Sequence, residues 1–246
     1  MGIGEAMAKS FLAEGARVVM SSRDLARVEE ARQRVGTADR TAAIACDVRD
    51  RRQIDALVTV SQAKFGRIDV WINNAGYGML SSIASMSMEE CRRMFDTNLF
   101  GAIECMQAIV PVFRAQRSGT VINISSIVGH LPVPHMGAYS ATKHALNAIS
   151  EAARLELEDE SIRVINVCPG RIQTNFGVNT VKGSEGKRLG ESMQKGISVE
   201  RCARAILNGY LRGTREVFVP WHGWFLSHLY EVCPAVVEFG MRRMMK

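Results

Sequence analysis

The chain lacks any run of eighteen apolar residues, so no helix able to span a bilayer is written into it. It has no C-x-x-C pair, and its six cysteines, Cys46, Cys91, Cys105, Cys168, Cys202 and Cys233, are dispersed with no histidine beside them at metal-ligand spacing. They read as small hydrophobes of a reducing compartment, and no metal site is expected. No Pro-, Ser- or Gly-rich linker divides the 246 residues, which implies one domain around a sizeable core. The start carries no signal-peptide pattern, consistent with a cytoplasmic protein. Net charge is only +6, with 31 Lys and Arg spread among 25 Asp and Glu, so a nucleic-acid binder is not implied while an anionic ligand is compatible.

What is present is an alternation of two periodicities. Short apolar runs at Arg17–Ser21, Thr41–Cys46, Ile68–Ile72, Thr120–Ile124, Arg163–Val167 and Glu216–Val219 suit strands buried on both faces. Between them, helical patterns cover Glu5–Glu14, Leu25–Val35, Asp50–Phe65, Met88–Arg117 with a break near Leu99, Tyr139–Glu158 and Val199–Leu211. This order predicts an α/β fold, a doubly wound parallel sheet with helices on both faces. Ligands of such sheets bind at the carboxyl ends of the strands, and there the chain places Asp47, Asn74, Ser126 and Pro169.

Tyr139 and Lys143 are four residues apart and share a helix face, with Ser126 thirteen positions upstream. An ammonium beside a phenol favours the phenolate, and a Ser hydroxyl could orient a substrate oxygen, which together make a proton-transfer site for a carbonyl or carbinol. Taken alone, the pair also fits a solvated helix face.

The context is a succession of Gly2-Ile3-Gly4, Ser22-Arg23, Asp47-Val48, Asn73-Asn74-Ala75-Gly76, Asn98-Leu99-Phe100-Gly101, Asn123-Ile124-Ser125-Ser126, Tyr139/Lys143 and Pro169-Gly170-Arg171-Ile172-Gln173-Thr174. Over residues 1–220 this resembles the short-chain dehydrogenase/reductase family. The resemblance implies a Rossmann-type domain and a nicotinamide cofactor. Asn98, Ser126, Tyr139 and Lys143 would then be catalytic: Tyr139 the acid in reduction and the base in oxidation, Ser126 the partner of the substrate oxygen, Lys143 the contact to the nicotinamide ribose that also lowers the Tyr pKa, and Asn98 the holder of a water next to it. The thirteen-residue spacing selects Ser126 over Ser125. Gly2, Ile3 and Gly4 would face the pyrophosphate, Asp47 and Val48 the adenine, Asn74, Ala75 and Gly76 the adenosine ribose, and Pro169, Gly170, Ile172 and Thr174 the nicotinamide. Where an acidic residue would select NAD(H), the chain has Ser22 and Arg23, so NADP(H) is favoured, the Arg fork matching a phosphate; Asp24 reads as a helix cap.

One departure stands out. Family members carry a first strand and Thr-Gly-x-x-x-Gly-Ile-Gly, whereas Met1 here directly precedes Gly2-Ile3-Gly4, so the strand and the first part of the phosphate-binding turn are expected to be absent. Two readings stay open: a start inside a longer natural protein, or a genuine variant with an impaired cofactor seat.

Substrate recognition is expected from a polar, lid-like loop over 173–197 and from the segment 127–138, with His130, Leu131, Val133 and Met136 near the reacting group. All five histidines, His130, His135, His144, His222 and His228, read as structural or solvent-facing. Beyond Pro220, residues 221–246 form an apolar, basic-ended tail with Trp221, Trp224, Phe225 and Leu229, broken by Pro234 into two short helices. It would pack on its own domain, on a partner subunit of a homodimer or homotetramer, or on a membrane surface. The expected substrate is an apolar small molecule carrying a ketone, aldehyde or alcohol, such as a steroid, retinoid, lipid or xenobiotic. The rival is a non-catalytic binding or regulatory homologue; a nucleotide-sugar epimerase would need a larger C-terminal domain.

Overall fold

In the computed structural model, residues 2–174, 176–183 and 196–244 are described. The strands are β1 (Val18–Ser22), β2 (Thr41–Ala45), β3 (Val70–Asn73), β4 (Met79–Leu80), β5 (Gly119–Ile124), β6 (Ile162–Pro169), β7 (Val181–Lys182) and β8 (Glu216–Val219). The helices are α1 (Ile3–Ala13), α2 (Leu25–Val35), α3 (Arg51–Phe65), α4 (Met88–Phe95), α5 (Gly101–Gln116), α6 (Gly137–Leu157), α7 (Phe176–Asn179), α8 (Val199–Arg212), α9 (Gly223–Val232) and α10 (Pro234–Met244). The expected β and α segments are all there, displaced by a few residues at their ends. Local chemistry sets several of these ends. Asp50 caps α3 by accepting from the Arg52 amide, and Asp24 caps α2 by accepting from the Arg27 amide. The break near Leu99 is a π turn over Asp96–Phe100 between α4 and α5.

The pairing is parallel throughout. β3, β5, β6 and β8 make one ladder in the order β3-β5-β6-β8, and β1 pairs with β2. Among the described residues no strand joins β1 to β3, which is where the sequence led us to expect a missing one. The two ladders nevertheless belong to one layer, because each contributes to both cores. Val18 and Ile72 pack into the cluster formed with Phe11 of α1 and Ile206 of α8, while Val19 and Trp71 pack into the opposite cluster with Ile54 of α3 and Phe113 of α5. β5 shows why its residues must alternate: Ile122 and Ile124 serve the first cluster and Val121 the second. This is the doubly wound, Rossmann-type single domain, with helices on both faces.

The short pair β4 and β7 was not legible beforehand. Met79 faces Val181 and Leu80 faces Lys182, so the segment after β6 is hydrogen-bonded back onto the loop after β3. The tail turns at Pro234 into α9 and α10 as expected, and much of its apolar surface is open: Trp221 is 67% exposed and Val232 80%. No helix among the described residues is long and apolar enough to cross a membrane.

Gly119 opens β5 directly against the ring of Phe113, where an added Cβ would lie 2.1 Å from a ring carbon. Phe113 is fully buried, so neither group can yield. Gly119→Ala should destabilise the protein by about 1–3 kcal/mol through overpacking, with part of the loss recovered in Gly119→Ala/Phe113→Leu, as read from urea unfolding midpoints.

Candidate active site

The site begins where β5 ends. Ile124 presents its carbonyl to the Lys143 ammonium at 2.8 Å, which anchors α6 to the strand and carries Tyr139 one turn earlier on the same face. Both side chains are buried, Tyr139 7% and Lys143 4% exposed, and the Lys143 nitrogen lies 5.8 Å from the centre of the Tyr139 ring. Desolvation disfavours the charged form of each. The phenol is pushed well above its usual range by burial, with a side-chain hydrogen bond from Ser126 opposing this, while the Lys143 ammonium is lowered to about 8. The expectation that Lys143 would depress the Tyr139 pKa is therefore not met in this structure. The ammonium is directed at a backbone carbonyl, and burial is the leading influence on both groups.

Ser126 and Ser125 take different partners. Ser125 Oγ donates to Asn147 Oδ1, whereas Ser126 caps the 3-10 turn Ile127–Gly129 and donates to the Pro169 carbonyl at 3.2 Å. Gly129 in that turn comes so close to α6 that a Cβ would lie 2.9 Å from the Lys143 carbonyl oxygen, and Asn147 Nδ2 bonds the Gly129 carbonyl at 2.8 Å. Asn98, 1% exposed in the π turn, spends its amide on Tyr77: Oδ1 accepts from the Tyr77 amide at 3.0 Å and Nδ2 donates to the Tyr77 carbonyl at 2.9 Å. Its Oδ1 also lies against Gly76, where a Cβ would come within 3.1 Å, so Asn98 fixes the loop after β3 beneath the site.

A cavity of about 720 Å³ opens above these groups, lined by Ile3, Asn74, Gly76, Ser126, Tyr139 and Thr174 among others. Its size and shape suit an extended dinucleotide together with a small substrate. The N-terminus of α1 lies at one end. Gly2 leaves open space where a Cβ would be, and Gly4 approaches Asn74 so closely that a Cβ would lie 2.9 Å from its amide. A helix N-terminus with small residues is the place for a phosphate, so the residues present fit a nicotinamide dinucleotide. At the far end Gly170 bonds Val219 O at 2.7 Å, Ile172 bridges Ile197, and Thr174 Oγ1 accepts from the Phe176 amide.

At the expected adenine end the side chains already have local partners. Arg49, two residues on, grips Asp47 in a bidentate pair with a closest contact of 2.6 Å and pulls its carboxyl below the usual range. Val48 packs against Gly101, where an added Cβ would lie 2.8 Å from it, so its role is tied to α5. Ser22 turns its hydroxyl to the Asp24 carbonyl and Arg23 is exposed.

Of the loop residues, Val133 and Met136 join the apolar cluster around Tyr139, but His130 does not. It turns away to Glu216 and Cys168, partners 86 and 38 residues distant, which no local spacing could reveal. Phe176 was missed too: its ring packs on Tyr139 with centres 5.5 Å apart, roofing the site with the β4 and β7 pair. Residues 184–195 of the lid-like loop lie outside the described residues, as do Met245 and Lys246 of the tail. His144 bonds the Ser140 carbonyl and faces outward.

A depressed ammonium costs stability as long as the unfolded chain is protonated, in full where the folded group is protonated too and progressively less where only the unfolded one is. With Lys143 near 8 folded and an ordinary value of 10.5 unfolded, that cost is complete below pH 8 and fades as pH rises to 10.5. Lys143→Met should therefore be the more stable protein at pH 7, by on the order of 2 kcal/mol, with the gap closing toward pH 10 in urea titrations of both proteins.

Comparison with known proteins agrees with this geometry. The family described as short chain dehydrogenase matches residues 1–185. The chain is 31% identical over 230 residues to dehydrogenase/reductase SDR family member 7B of Mus musculus, covering 89% of this chain and 71% of that protein. A short-chain dehydrogenase from Streptomyces avermitilis superposes with a TM-score of 0.84 at 28% identity, over 100% of this chain and 95% of that one. A 3-ketoacyl-(acyl-carrier-protein) reductase from Brucella melitensis, complexed with NADH, gives 0.79 at 26% identity over 89% and 92% of the two chains. The chain belongs to the short-chain dehydrogenase/reductase family of oxidoreductases.

Proposed function

We propose that the protein is an NADP(H)-dependent oxidoreductase that interconverts a carbonyl and an alcohol on an apolar small molecule, with Tyr139 as general acid and base. The observation that carries this reading is the buried grouping of Tyr139, Ser126 and Lys143 at the floor of a cavity whose other end meets the N-terminus of α1. A nicotinamide dinucleotide, when bound, supplies or accepts the hydride. The chain supplies the rest. Ser126 holds the substrate oxygen beside the Tyr139 hydroxyl, and Tyr139 gives up its proton as that oxygen gains charge. Because burial raises the phenol, it is protonated at neutral pH, the form that carbonyl reduction needs. Lys143, fixed on Ile124, places a cation near the phenolate that forms. Phe176, Val133 and Met136 exclude water and offer an apolar wall, which supports a steroid, retinoid, lipid or xenobiotic-like carbonyl.

The Brucella relative carries NADH, so the choice between the two nicotinamide cofactors rests on the chain's own residues. At the end of β1 stand Ser22 and Arg23 in place of a carboxylate, and Arg23 adds positive potential at Asp47, whose charge Arg49 already balances. That environment favours a 2′-phosphate. The exposed Trp221, Trp224, Phe225 and Leu229 of the tail fit contact with a membrane surface or a second subunit of a homodimer or homotetramer.

In assays of NADPH-dependent reduction across apolar ketones and aldehydes, Tyr139→Phe should lower kcat by about 10²-fold or more. Cofactor binding, followed by NADPH fluorescence, should stay within a few-fold. Retained turnover would refute the role of Tyr139. Arg23→Ala should raise KM for NADPH by about tenfold, the value of one lost charged contact, and leave KM for NADH nearly unchanged; equal effects on both would overturn the preference.

A further inference from the structure

Behind Ser126, on the side away from the cavity, three side chains of unlike chemistry converge. His130 closes the turn that Ser126 opens, Cys168 directly precedes Pro169 in β6, and Glu216 begins β8. His130 Nε2 lies 2.9 Å from Glu216 Oε1 and 3.3 Å from Cys168 Sγ, and Cys168 Sγ lies 3.3 Å from Glu216 Oε1. Cys168 is 1% exposed, whereas the His130 and Glu216 side chains retain 18% and 23% exposure, so the cluster is walled by protein on the sulfur side and reachable from solvent on the other.

We infer that His130, Cys168 and Glu216 form a binding site for a divalent ion of the zinc class. One imidazole, one thiolate and one carboxylate are the donor types that zinc and cobalt prefer, and none of the proposed steps at Tyr139 uses any of them. A tetrahedral ion with bonds of about 2.0–2.3 Å holds its donors roughly 3.3–3.6 Å apart, so the three need to open by only a few tenths of an ångström. Charge balances as well. A thiolate and a carboxylate neutralise a dication, which keeps the half-buried complex from carrying net charge.

The surroundings hold the donors in place. Asn166 Nδ2 reaches Glu216 Oε1 at 3.1 Å and Asn147 Oδ1 at 2.9 Å, the kind of outer contact that orients a carboxylate ligand. The His130 ring packs on Phe218, with centres 5.2 Å apart and Nε2 directed at the cluster. A water reaching the ion from the solvent side, where His130 and Glu216 are partly exposed, would serve as the fourth ligand. In the binding step the Cys168 proton leaves to solvent and the sulfur–metal bond replaces it, with no change of oxidation state. An ion here would tie the turn after Ser126 to the strand end before Pro169 and to β8, from the face opposite the cavity.

Titration of the chelator-treated full-length protein with Co²⁺ tests this independently of any enzymatic activity. The expected result is a thiolate-to-cobalt charge-transfer band in the near ultraviolet and tetrahedral visible bands, saturating at one ion per chain and displaced by Zn²⁺. Cys168→Ser should abolish the charge-transfer band, and Glu216→Gln should weaken binding at least tenfold, while Cys233→Ser, at an exposed cysteine, should change neither. No cobalt band up to millimolar Co²⁺ would overturn the inference and leave a purely hydrogen-bonded triad. So would a band that persists in Cys168→Ser. If Cys168→Ser loses its far-ultraviolet circular dichroism, Glu216→Gln decides, and unchanged cobalt affinity in it counts against the site.

Discussion

The contact on which the site depends is the one between the Lys143 ammonium and the carbonyl of Ile124. It places a cation in a dry environment, which is unfavourable by itself and is tolerated because β5, α6 and the turn after Ser126 converge on it. The pull of the carbonyl sets the height of α6 along the strand, and that height decides where Tyr139 stands relative to Ser126. Gly129 permits the turn to come close, and Asn147 ties it down through the Gly129 carbonyl and the Ser125 hydroxyl. Tyr139, Ser126 and Lys143 are thus held by one strand end, one helix and one turn, the arrangement that the proposed chemistry requires.

The fold was legible because its signals are repetitive. Six short apolar runs alternating with amphipathic segments leave few topologies, and residues such as Asp24, Asp50 and Pro234 mark element ends by chemistry that acts within a few positions. The paired strands β4 and β7 were not legible, since two residues each carry no periodicity and pair across about a hundred positions. The same divide runs through the site. Ser126, Tyr139 and Lys143 are tied by spacing on neighbouring elements, and the structure brings them together. Asp47 is paired with Arg49 only two residues on, a local partner that a motif match does not register. Phe176 and Asn147 escaped notice, and His130 was expected near the reacting group rather than at Glu216 and Cys168, because their partners are set by packing rather than by sequence distance.

Electrostatics divides the domain in a way that composition hides. The mild excess of positive charge is dispersed on the surface, while among the described residues the interior holds one buried cation, Lys143, at the end of β5. On either side of that cation stand a neutral phenol and a neutral thiol, both raised by burial, with the thiol also pushed up by Glu216. A single interior positive charge flanked by two proton-bearing acids is a local field that favours the appearance of negative charge nearby, whether on a substrate oxygen or on a ligand atom.

The two small parallel pairings around the roof have a consequence for how such a protein diversifies. β7 is stitched to β4 on one side and Ile197 to Ile172 on the other, so the stretch between Lys182 and Gly196 departs from and returns to positions that the core already fixes. Changing the length of a connection between fixed ends costs little, since closure entropy grows only with the logarithm of loop length. The domain can therefore take up changes of length between Lys182 and Gly196 while the paired residues at both ends keep their places.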